Sequence, residues 1–228
     1  MNAEPHPMPQ SDVLTMAMEQ AHHGRLSDHS ITLGANRLPM AFVFDYDVRR
    51  WDLRAVVRDY FGTDSLEALH QDPRWNPPDP VHALPNTATL RNSWDVSKAL
   101  RSAVIDRAMP LLDSLIHHRI SDFVTRIVSQ QPQAMMRVNF HGSRAILRFH
   151  TDREYGQRDT ALNIWLPVTR VYGSNSLYFE SAPGLSDFQP VTLEYGQALM
   201  FYGTHLQHGT LDNMSGGTRI SFDFRVSV

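Results

Sequence analysis

The stretch TRISFDFRV, residues 218–226, alternates polar and apolar side chains almost without a break. Successive side chains of a β-strand point to opposite faces, so this pattern predicts a strand with one polar and one apolar face. The polar face holds Arg219, Ser221, Asp223 and Arg225, and the apolar face holds Ile220, Phe222, Phe224 and Val226. If the apolar face packs against a core layer, the polar face lines a barrel interior; a solvent-exposed outer face is the alternative.

The same two-residue period continues through most of residues 134–228. It recurs in MMRVNF, RAILRFH, TALNIWLPV, NSLYFES and PVTLEYGQALMFYG, which are separated by turns containing Gly, Asn, Asp and Ser. Six or more short strands with such turns are typical of an antiparallel sandwich or barrel. We therefore predict a jelly-roll core over residues 134–228, that is, a double-stranded β-helix or cupin-like barrel.

The first half of the chain shows a helical period instead. In RRWDLRAVVRDYFG (49–62), apolar residues recur at helical spacing, and Gly62 is a plausible stop signal. A longer helical pattern runs over residues 93–130, where Pro110 should kink or divide the helix. Residues 13–130 are thus expected to form mainly helical support and a lid for the barrel, which gives an α+β fold class.

Three further segments complete the predicted layout as a single domain over residues 1–228. Residues 1–12 are polar and contain three prolines, which predicts a flexible tail. The proline-rich segment 72–85 and the segment 153–158 are candidate lids, because a reactive site must be closed to water.

Composition narrows the function classes. The chain has no cysteine, so disulfides and cysteine-bound metals are excluded, and a metal must bind nitrogen and oxygen ligands. A net charge of -3 gives no reason to expect nucleic acid or an anionic membrane surface. No apolar run approaches the roughly 18 residues of a spanning helix, and the first residues lack signal-peptide features. We expect a cytoplasmic monomer or homodimer that binds a small molecule.

Candidate metal ligands lie in FHTDREY, residues 149–155. On a strand, His150 and Asp152 would point to the same side and could bind one ion. A polar strand end is the ordinary alternative, and spacing alone does not decide between them. The chain contains a second HxD at His70 and Asp72, where a helical pattern meets the proline-rich loop.

A third ligand must come from GTHLQHGTLDN, which offers His205 and His208. A jelly roll would bring this stretch and His150 to the same barrel mouth. Two imidazoles and one carboxylate would leave open positions on the metal, as in non-haem Fe(II) sites that activate dioxygen. Zinc hydrolases can share these ligands, so the ligands alone do not name the reaction.

A carboxylate receptor is predicted farther along the chain. Arg219 follows His208 closely, and Ser221 lies beside Arg219 on the same strand face. A guanidinium and a hydroxyl supply the donors that a carboxylate accepts. A short dicarboxylate that bridges Arg219 and a metal would have to chelate the metal, and 2-oxoglutarate meets that description.

These motifs together resemble the Fe(II)/2-oxoglutarate-dependent dioxygenases. The order HTD, ALNIWLPV, NSLYFES, YGQALMFYG, HGTLDN and TRISFDFR is similar to the phytanoyl-CoA dioxygenase-like group and its branch in bacterial antibiotic biosynthesis. The resemblance covers about residues 134–228. It implies Fe(II), 2-oxoglutarate and O2 as cofactors, with hydroxylation of an unactivated C–H bond of a small molecule, such as an amino acid or natural-product intermediate, as the default outcome.

Carried over by position, the resemblance assigns His150, Asp152 and His208 as metal ligands and catalytic residues. It assigns Arg219 and Ser221 as the 2-oxoglutarate clamp. His208 is preferred to His205 because it precedes a glycine and keeps a short interval to the arginine. Halogenases of this family replace the carboxylate ligand with a small residue, so the presence of Asp152 favours oxygen transfer.

The remaining assignments concern residues on inward-facing strand positions that have no role in the metal site or the carboxylate receptor. Asn163 is a candidate for binding 2-oxoglutarate. Candidates for substrate binding are Arg148, Trp165 and Arg225, and the arginines would suit a carboxylate-bearing substrate unless they pair with acidic residues inside the barrel.

Two other functions remain open at the level of sequence. One is a cupin-type metal-dependent isomerase or hydrolase without 2-oxoglutarate, which would leave Arg219 and Ser221 without a ligand. The other is a non-catalytic metal-binding or regulatory jelly-roll protein, or one that reads a peptide through its proline-rich loop.

Overall fold

A computed structural model describes residues 26–27, 29–33, 35–76, 103–145 and 149–228 of the chain. The described part mixes helices with antiparallel strands. In chain order its strands are β1 (Ser30–Leu33), β2 (Asn36–Pro39), β3 (Ala41–Asp45), β4 (Ser129–Gln130), β5 (Met135–Asn139), β6 (Ala161–Pro167), β7 (Leu177–Phe179), β8 (Gln189–Pro190), β9 (Gln197–Phe201), β10 (His208–Thr210) and β11 (Arg219–Ser227). Its α-helices are α1 (Leu53–Phe61) and α2 (Ile105–His118), and short 3₁₀ helices span Leu66–Gln71, Ile120–Asp122, Asp152–Tyr155 and Gly173–Asn175.

The strands form three antiparallel sheets. The largest has the order β3-β9-β6-β11-β4, and β5 also pairs with β11. A smaller sheet has the order β10-β7-β8, and β1 pairs with β2. The rings of Phe179 on β7 and Phe201 on β9 stack with centroids 6.5 Å apart, so the small sheet lies against the large one. Within the described ranges no strand ladder joins these two sheets, so they are not a closed barrel.

Strand β11 is the longest strand and confirms the predicted alternation. Its apolar residues Ile220, Phe222 and Val226 are fully buried in the same hydrophobic core as both helices. Its neighbours are β6, with Arg225 opposite Asn163, and β5, with Ser221 opposite Arg137. The polar face of β11 therefore points to the side away from the main core.

Helix α1 confirms the predicted amphipathic helix within residues 49–62. The Asp52 carboxylate accepts a hydrogen bond from Ala55 N at 3.0 Å, which caps the first turn. Gly62 ends the helix in the left-handed region with φ 63°, where a residue without Cβ is favoured. Leu53, Val57 and Phe61 recur every four residues and form the buried stripe.

Helix α2 lies within the longer predicted helical segment and runs through Pro110 without being divided. The expectation that residues 13–130 are mainly helical was wrong for residues 30–45. That stretch forms β1, β2 and β3, and β3 joins the large sheet through β9. β1 (SITL) alternates over only four residues and β3 (AFVFD) is almost continuously apolar, so neither gives a long two-residue period.

Two predictions lie partly or wholly outside the described residues. The tail over residues 1–12 is outside them, as is most of the candidate lid over 72–85, of which only 72–76 is described. No helix in the described ranges is long and apolar enough to cross a membrane.

Replacing Phe222 by alanine tests the assignment of the β11 apolar face. We expect Phe222→Ala to lower the free energy of unfolding by about 3–5 kcal/mol, because it leaves a cavity in the core. Val128, which is 64% exposed, gives the control, and Val128→Ala should change the free energy by less than about 0.5 kcal/mol. Equal effects in urea unfolding would show that Phe222 is not a core residue.

Candidate metal centre

Three side chains that could hold a metal come together where the two main sheets meet. His150 and His208 pair through their backbones, with the His150 amide 3.0 Å from the His208 carbonyl and the His208 amide 2.9 Å from the His150 carbonyl. The Asp152 amide donates to the carbonyl of Gly203 at 2.8 Å. Backbone hydrogen bonds thus align the predicted ligands, although Asp152 opens a 3₁₀ helix instead of lying on a strand.

The ligand atoms of this cluster are close enough to share one ion. Asp152 Oδ1 lies 3.9 Å from His150 Nε2 and 3.8 Å from His208 Nε2. All three residues are buried, and their ligand atoms lie within 4.8 Å of one another. Because metal–nitrogen and metal–oxygen bonds are about 2.0–2.2 Å long, two ligand atoms on one ion can be up to about 4.3 Å apart. The measured pairs therefore fit a common metal.

His205 and His208, the two candidates for the third ligand, have different surroundings. His205 stacks on the ring of Tyr202 with centroids 4.6 Å apart, and its Nε2 lies 2.8 Å from Arg153 Nη2. In contrast, the Nδ1 of His208 lies 3.0 Å from the carbonyl of Leu206, an acceptor that favours a proton on Nδ1 and leaves the Nε2 lone pair for a metal. Burial also lowers the pKa of His208, which favours the neutral imidazole.

The second HxD does not form a comparable site. Backbone and ring nitrogens of His70 lie 3.0 and 3.1 Å from Thr218 Oγ1. The Asp72 carboxylate accepts from the guanidinium of Arg74. Across the described ranges, His150, Asp152 and His208 are the one group of three or more such side chains found close enough for a metal.

Asp152 is held by two neighbours. Arg225 donates from Nε to Oδ2 and from Nη2 to Oδ1, both at 3.0 Å, and Asn163 Nδ2 donates to Oδ2 at 2.6 Å. Burial opposes ionisation of the carboxylate, but the Arg225 hydrogen bonds, the His208 ring and Asn163 together hold its pKa below the usual value. Asp152 is therefore a carboxylate at neutral pH.

Arg225 and Asn163 have a contact that the sequence did not predict. Both donate to Asp152 and both also line the cavity described next. The predicted roles of Arg225 in binding substrate and of Asn163 in binding 2-oxoglutarate stay predictions. The predicted substrate residue Arg148 lies outside the described residues.

A cavity of about 180 Å³ lies between the sheets and includes the three candidate ligands in its wall. Arg219 and Trp165 also line it, with the Arg219 guanidinium carbon 6.0 Å from the centre of the Trp165 ring. Tyr155 forms part of the rim, since it is 52% exposed and its ring centre is 4.9 Å from that of His150. The cavity thus joins the cluster to the predicted carboxylate receptor.

Arg219 is buried with only part of its hydrogen-bonding capacity used. Its Nη1 donates to the carbonyl of Asn175 at 3.0 Å, while its Nε is buried without a partner. Burial, then the nearby Arg137, lower the pKa of Arg219 to about 10, and Asp223 opposes that change. The guanidinium consequently remains a cation at neutral pH and retains donors for an anion.

Two more buried polar atoms near the receptor have no partner within the described structure. One is Ser221 Oγ and the other is Asn163 Oδ1. Unpaired buried polar atoms are uncommon in proteins and indicate a missing partner. Ser221 is fully buried beside Arg219 on β11, but it is not among the cavity-lining residues. Together with Arg219 Nε, these atoms could hydrogen-bond a polar ligand, whereas an apolar core would offer them no partner.

Sequence reasoning missed Arg137. It lines the cavity, and its Nε donates to Asp223 Oδ2 at 2.5 Å. The sequence MMRVNF indicates a strand in which Arg137 and Asn139 share one face, because they alternate with apolar residues. The pairing of this strand, β5, with β11 was not predicted, and it is this pairing that brings Arg137 to the cavity.

Comparisons with known proteins give one curated relative and several solved structures, whereas no family model matches. The streptomycin biosynthesis protein StrG of Streptomyces griseus is 29% identical over 180 residues, which cover 79% of this chain and 81% of StrG. HygX from Streptomyces hygroscopicus, solved with nickel and 2-oxoglutarate bound, matches with 13% identity and a TM-score of 0.46 over 82% of each chain. The apo non-haem monooxygenase ThoJ matches with 14% identity and a TM-score of 0.45 over 65% of this chain and 70% of ThoJ.

Gly203 provides a test of the packing around Asp152. A methyl group on Gly203 would lie 3.0 Å from Asp152 Oδ2 and from both amide atoms of Asn163. We expect Gly203→Ala to displace the carboxylate and weaken Ni(II) binding about 10-fold or more in calorimetric titration. Gly217→Ala, whose methyl group would have no contact closer than 3.7 Å, is the control. Equal Ni(II) affinities in the two variants would contradict the site.

Proposed function

We propose that this protein is a non-haem Fe(II)/2-oxoglutarate-dependent oxygenase that hydroxylates an unactivated C–H bond of a small molecule. The observation that carries the proposal is that the buried His150, Asp152 and His208 share one cavity with the buried cation Arg219. In this account the two main sheets are the layers of a jelly roll, with the metal at its mouth.

The donor set fits Fe(II). Two imidazoles and one carboxylate are the ligands of the facial triad in non-haem Fe(II) oxygenases, and they leave positions open for other ligands. Burial lowers the pKa of His208, which favours the neutral imidazole. The hydrogen bonds to Asp152 help to keep the pKa of its carboxyl low, which favours the anion. The chain thus presents these two ligands in the protonation states that a divalent metal needs.

The electrostatics of the cavity suit a dianion. The charged residues in its wall, apart from the histidines, are the cations Arg137, Arg219 and Arg225 and the anions Asp152 and Asp223. Arg225 is paired with Asp152 and Arg137 with Asp223, which leaves Arg219 and a divalent metal as the main uncompensated charges. A molecule with a carboxylate at each end, such as 2-oxoglutarate, would place one negative charge beside Arg219 and one beside the metal and so offset two of these three positive charges.

Bound Fe(II), 2-oxoglutarate and O2 would together supply the oxidising chemistry, with succinate and CO2 as co-products. The chain's own residues hold and orient these groups. Arg219 and Ser221 would receive the far carboxylate, while the 3₁₀ helix Asp152–Tyr155 and the surrounding sheets shield the metal from water. Asp152 also favours oxygen transfer over halogenation, because it fills the position that a halide would need.

The walls of the cavity favour a compact polar substrate. Trp165 and Tyr155 offer aromatic surface, and the Arg137–Asp223 pair offers both a donor and an acceptor. An amino acid or a natural-product intermediate has matching groups, and the StrG relative belongs to antibiotic biosynthesis. Arg148 stays a candidate for this binding. A small-molecule partner, a cytoplasmic location and a monomeric or homodimeric state complete the proposal.

A metal-dependent isomerase or hydrolase of the cupin type could use the same three ligands. Such an enzyme has no use for a carboxylate receptor beside the metal. The buried Arg219 with its unpaired Nε is costly to keep without a ligand and therefore favours the oxygenase.

Succinate release tests the class directly. With Fe(II), 2-oxoglutarate, ascorbate and air, we expect slow succinate formation even without the true substrate. Changing any of the three metal ligands to alanine should abolish it, because the metal is then lost. His205→Ala is the matched control and should retain it, since His205 lies outside the cluster. Loss of succinate with His205→Ala and retention with His208→Ala would contradict the assigned ligands.

The affinity for 2-oxoglutarate tests Arg219 separately. In calorimetry on the Ni(II)-loaded protein without O2, Arg219→Ala should weaken 2-oxoglutarate binding by roughly 10- to 100-fold, because a charged hydrogen-bonding partner is removed. Arg107→Ala removes an exposed arginine that pairs with Asp59 and should leave the affinity unchanged. If wild-type protein binds Ni(II) but no 2-oxoglutarate, the cupin alternative replaces the oxygenase.

A further inference from the structure

We infer that Arg225, together with Asn163, is a positioning residue that fixes Asp152 so that it binds metal through Oδ1 alone. The inference rests on the proposed metal centre and adds to it a role for two residues that do not bind the metal. Its basis is the unequal surroundings of the two carboxylate oxygens.

Oδ2 of Asp152 is already saturated. It accepts from Asn163 Nδ2 at 2.6 Å and from Arg225 Nε at 3.0 Å, which uses both of its in-plane lone pairs. Gly203 lies next to the same oxygen, since a methyl group added there would be 3.0 Å from Oδ2. A metal therefore cannot reach Oδ2 without breaking these contacts.

Oδ1 of Asp152 faces the histidines. Among the described residues it accepts one hydrogen bond, from Arg225 Nη2 at 3.0 Å, and it lies 3.8 Å from His208 Nε2 and 3.9 Å from His150 Nε2. Oδ1 thus keeps acceptor capacity for a metal and is the carboxylate oxygen near both histidine nitrogens. Binding through a single oxygen leaves one more metal position open than binding through both.

The two donors are held by the large sheet. Arg225 and Asn163 are directly opposite each other on β11 and β6, and both side chains turn to the same carboxylate. The Arg225 carbonyl accepts from Gln131 N at 2.8 Å, which ties this end of β11 to the segment after β4. The sheet therefore places both donors before any metal binds.

Charge and positioning predict opposite effects for Arg225. As a cation close to the metal position, Arg225 repels a divalent ion, so by charge alone its removal should tighten metal binding. As a positioning residue it keeps the carboxylate in place, so its removal should weaken metal binding, by about 10–100-fold for groups of this kind. The sign of the change distinguishes the two roles.

The first experiment measures Ni(II) and Co(II) binding to the metal-free protein by calorimetry. We expect Arg225→Gln and Arg225→Lys both to bind about 10–100-fold more weakly than wild type, because lysine keeps the charge but lacks the two-pronged geometry. Arg137→Gln removes a cation from the same cavity without touching Asp152, and it should bind metal as tightly as wild type or more tightly. The Co(II) absorption spectrum should also change in Arg225→Gln, since Oδ2 then keeps only the hydrogen bond from Asn163.

A rescue experiment isolates the two donors. In Asp152→Gly, formate should restore part of the Ni(II) affinity, because Arg225 and Asn163 remain as donors for its carboxylate. In Asp152→Gly/Arg225→Gln, formate should restore much less. A general loss of structure would not give this dependence, and urea unfolding of each metal-free variant checks that it is folded.

The results distinguish the positioning role of Arg225 from the metal centre itself. Wild-type affinity in both Arg225 variants, or formate rescue that does not need Arg225, would overturn the positioning role while leaving the metal centre intact. Failure of the wild-type protein to bind either metal would overturn the metal centre and the inference together.

Discussion

Strand β11 separates the hydrophobic core of the molecule from its polar cavity. Its apolar side chains pack into the core that contains α1 and α2, and its opposite face supplies Arg219, Asp223 and Arg225 to the cavity. Because side chains alternate strictly along a strand, a shift of one residue in the pairing of β11 would bury the charges in the core and expose the phenylalanines. Fold and site therefore depend on the same register.

Apart from Arg219, each arginine and aspartate in the cavity wall has a close partner of opposite charge. Buried ions lose hydration, and the loss is offset only by close partners and hydrogen bonds. Asp152 has Arg225 and Asn163, and Asp223 has Arg137. Arg219 has carbonyl acceptors but no carboxylate partner in the described structure, and burial lowers its pKa to about 10. The one poorly compensated cation is thus the residue that we assign to the carboxylate of 2-oxoglutarate.

Strong local patterns made much of the molecule predictable from sequence. The alternation in β11 and the helical spacing around α1 both correspond to observed elements, and the candidate triad comes together as expected. The strands of residues 30–45 are too short, or in β3 too continuously apolar, to give a long periodic signal. The contact of Arg225 with Asp152 was also not predicted, because a long side chain crosses to a short 3₁₀ helix whose position depends on how the sheets meet. Likewise, the choice between His205 and His208 depends on ring orientation, which the structure shows through Tyr202 and Leu206.

The central claim is that one cavity holds a metal at the triad and 2-oxoglutarate between that metal and Arg219. The most direct measurement is an anaerobic titration of the Fe(II)-loaded protein with 2-oxoglutarate, followed by visible absorption, because chelation of Fe(II) by a 2-oxo acid produces a charge-transfer band. The account predicts a saturable band with one equivalent of 2-oxoglutarate. It also predicts that Arg219→Ala needs a higher concentration to reach the same band. A wild-type protein that binds Fe(II) but develops no band at any 2-oxoglutarate concentration would contradict the claim.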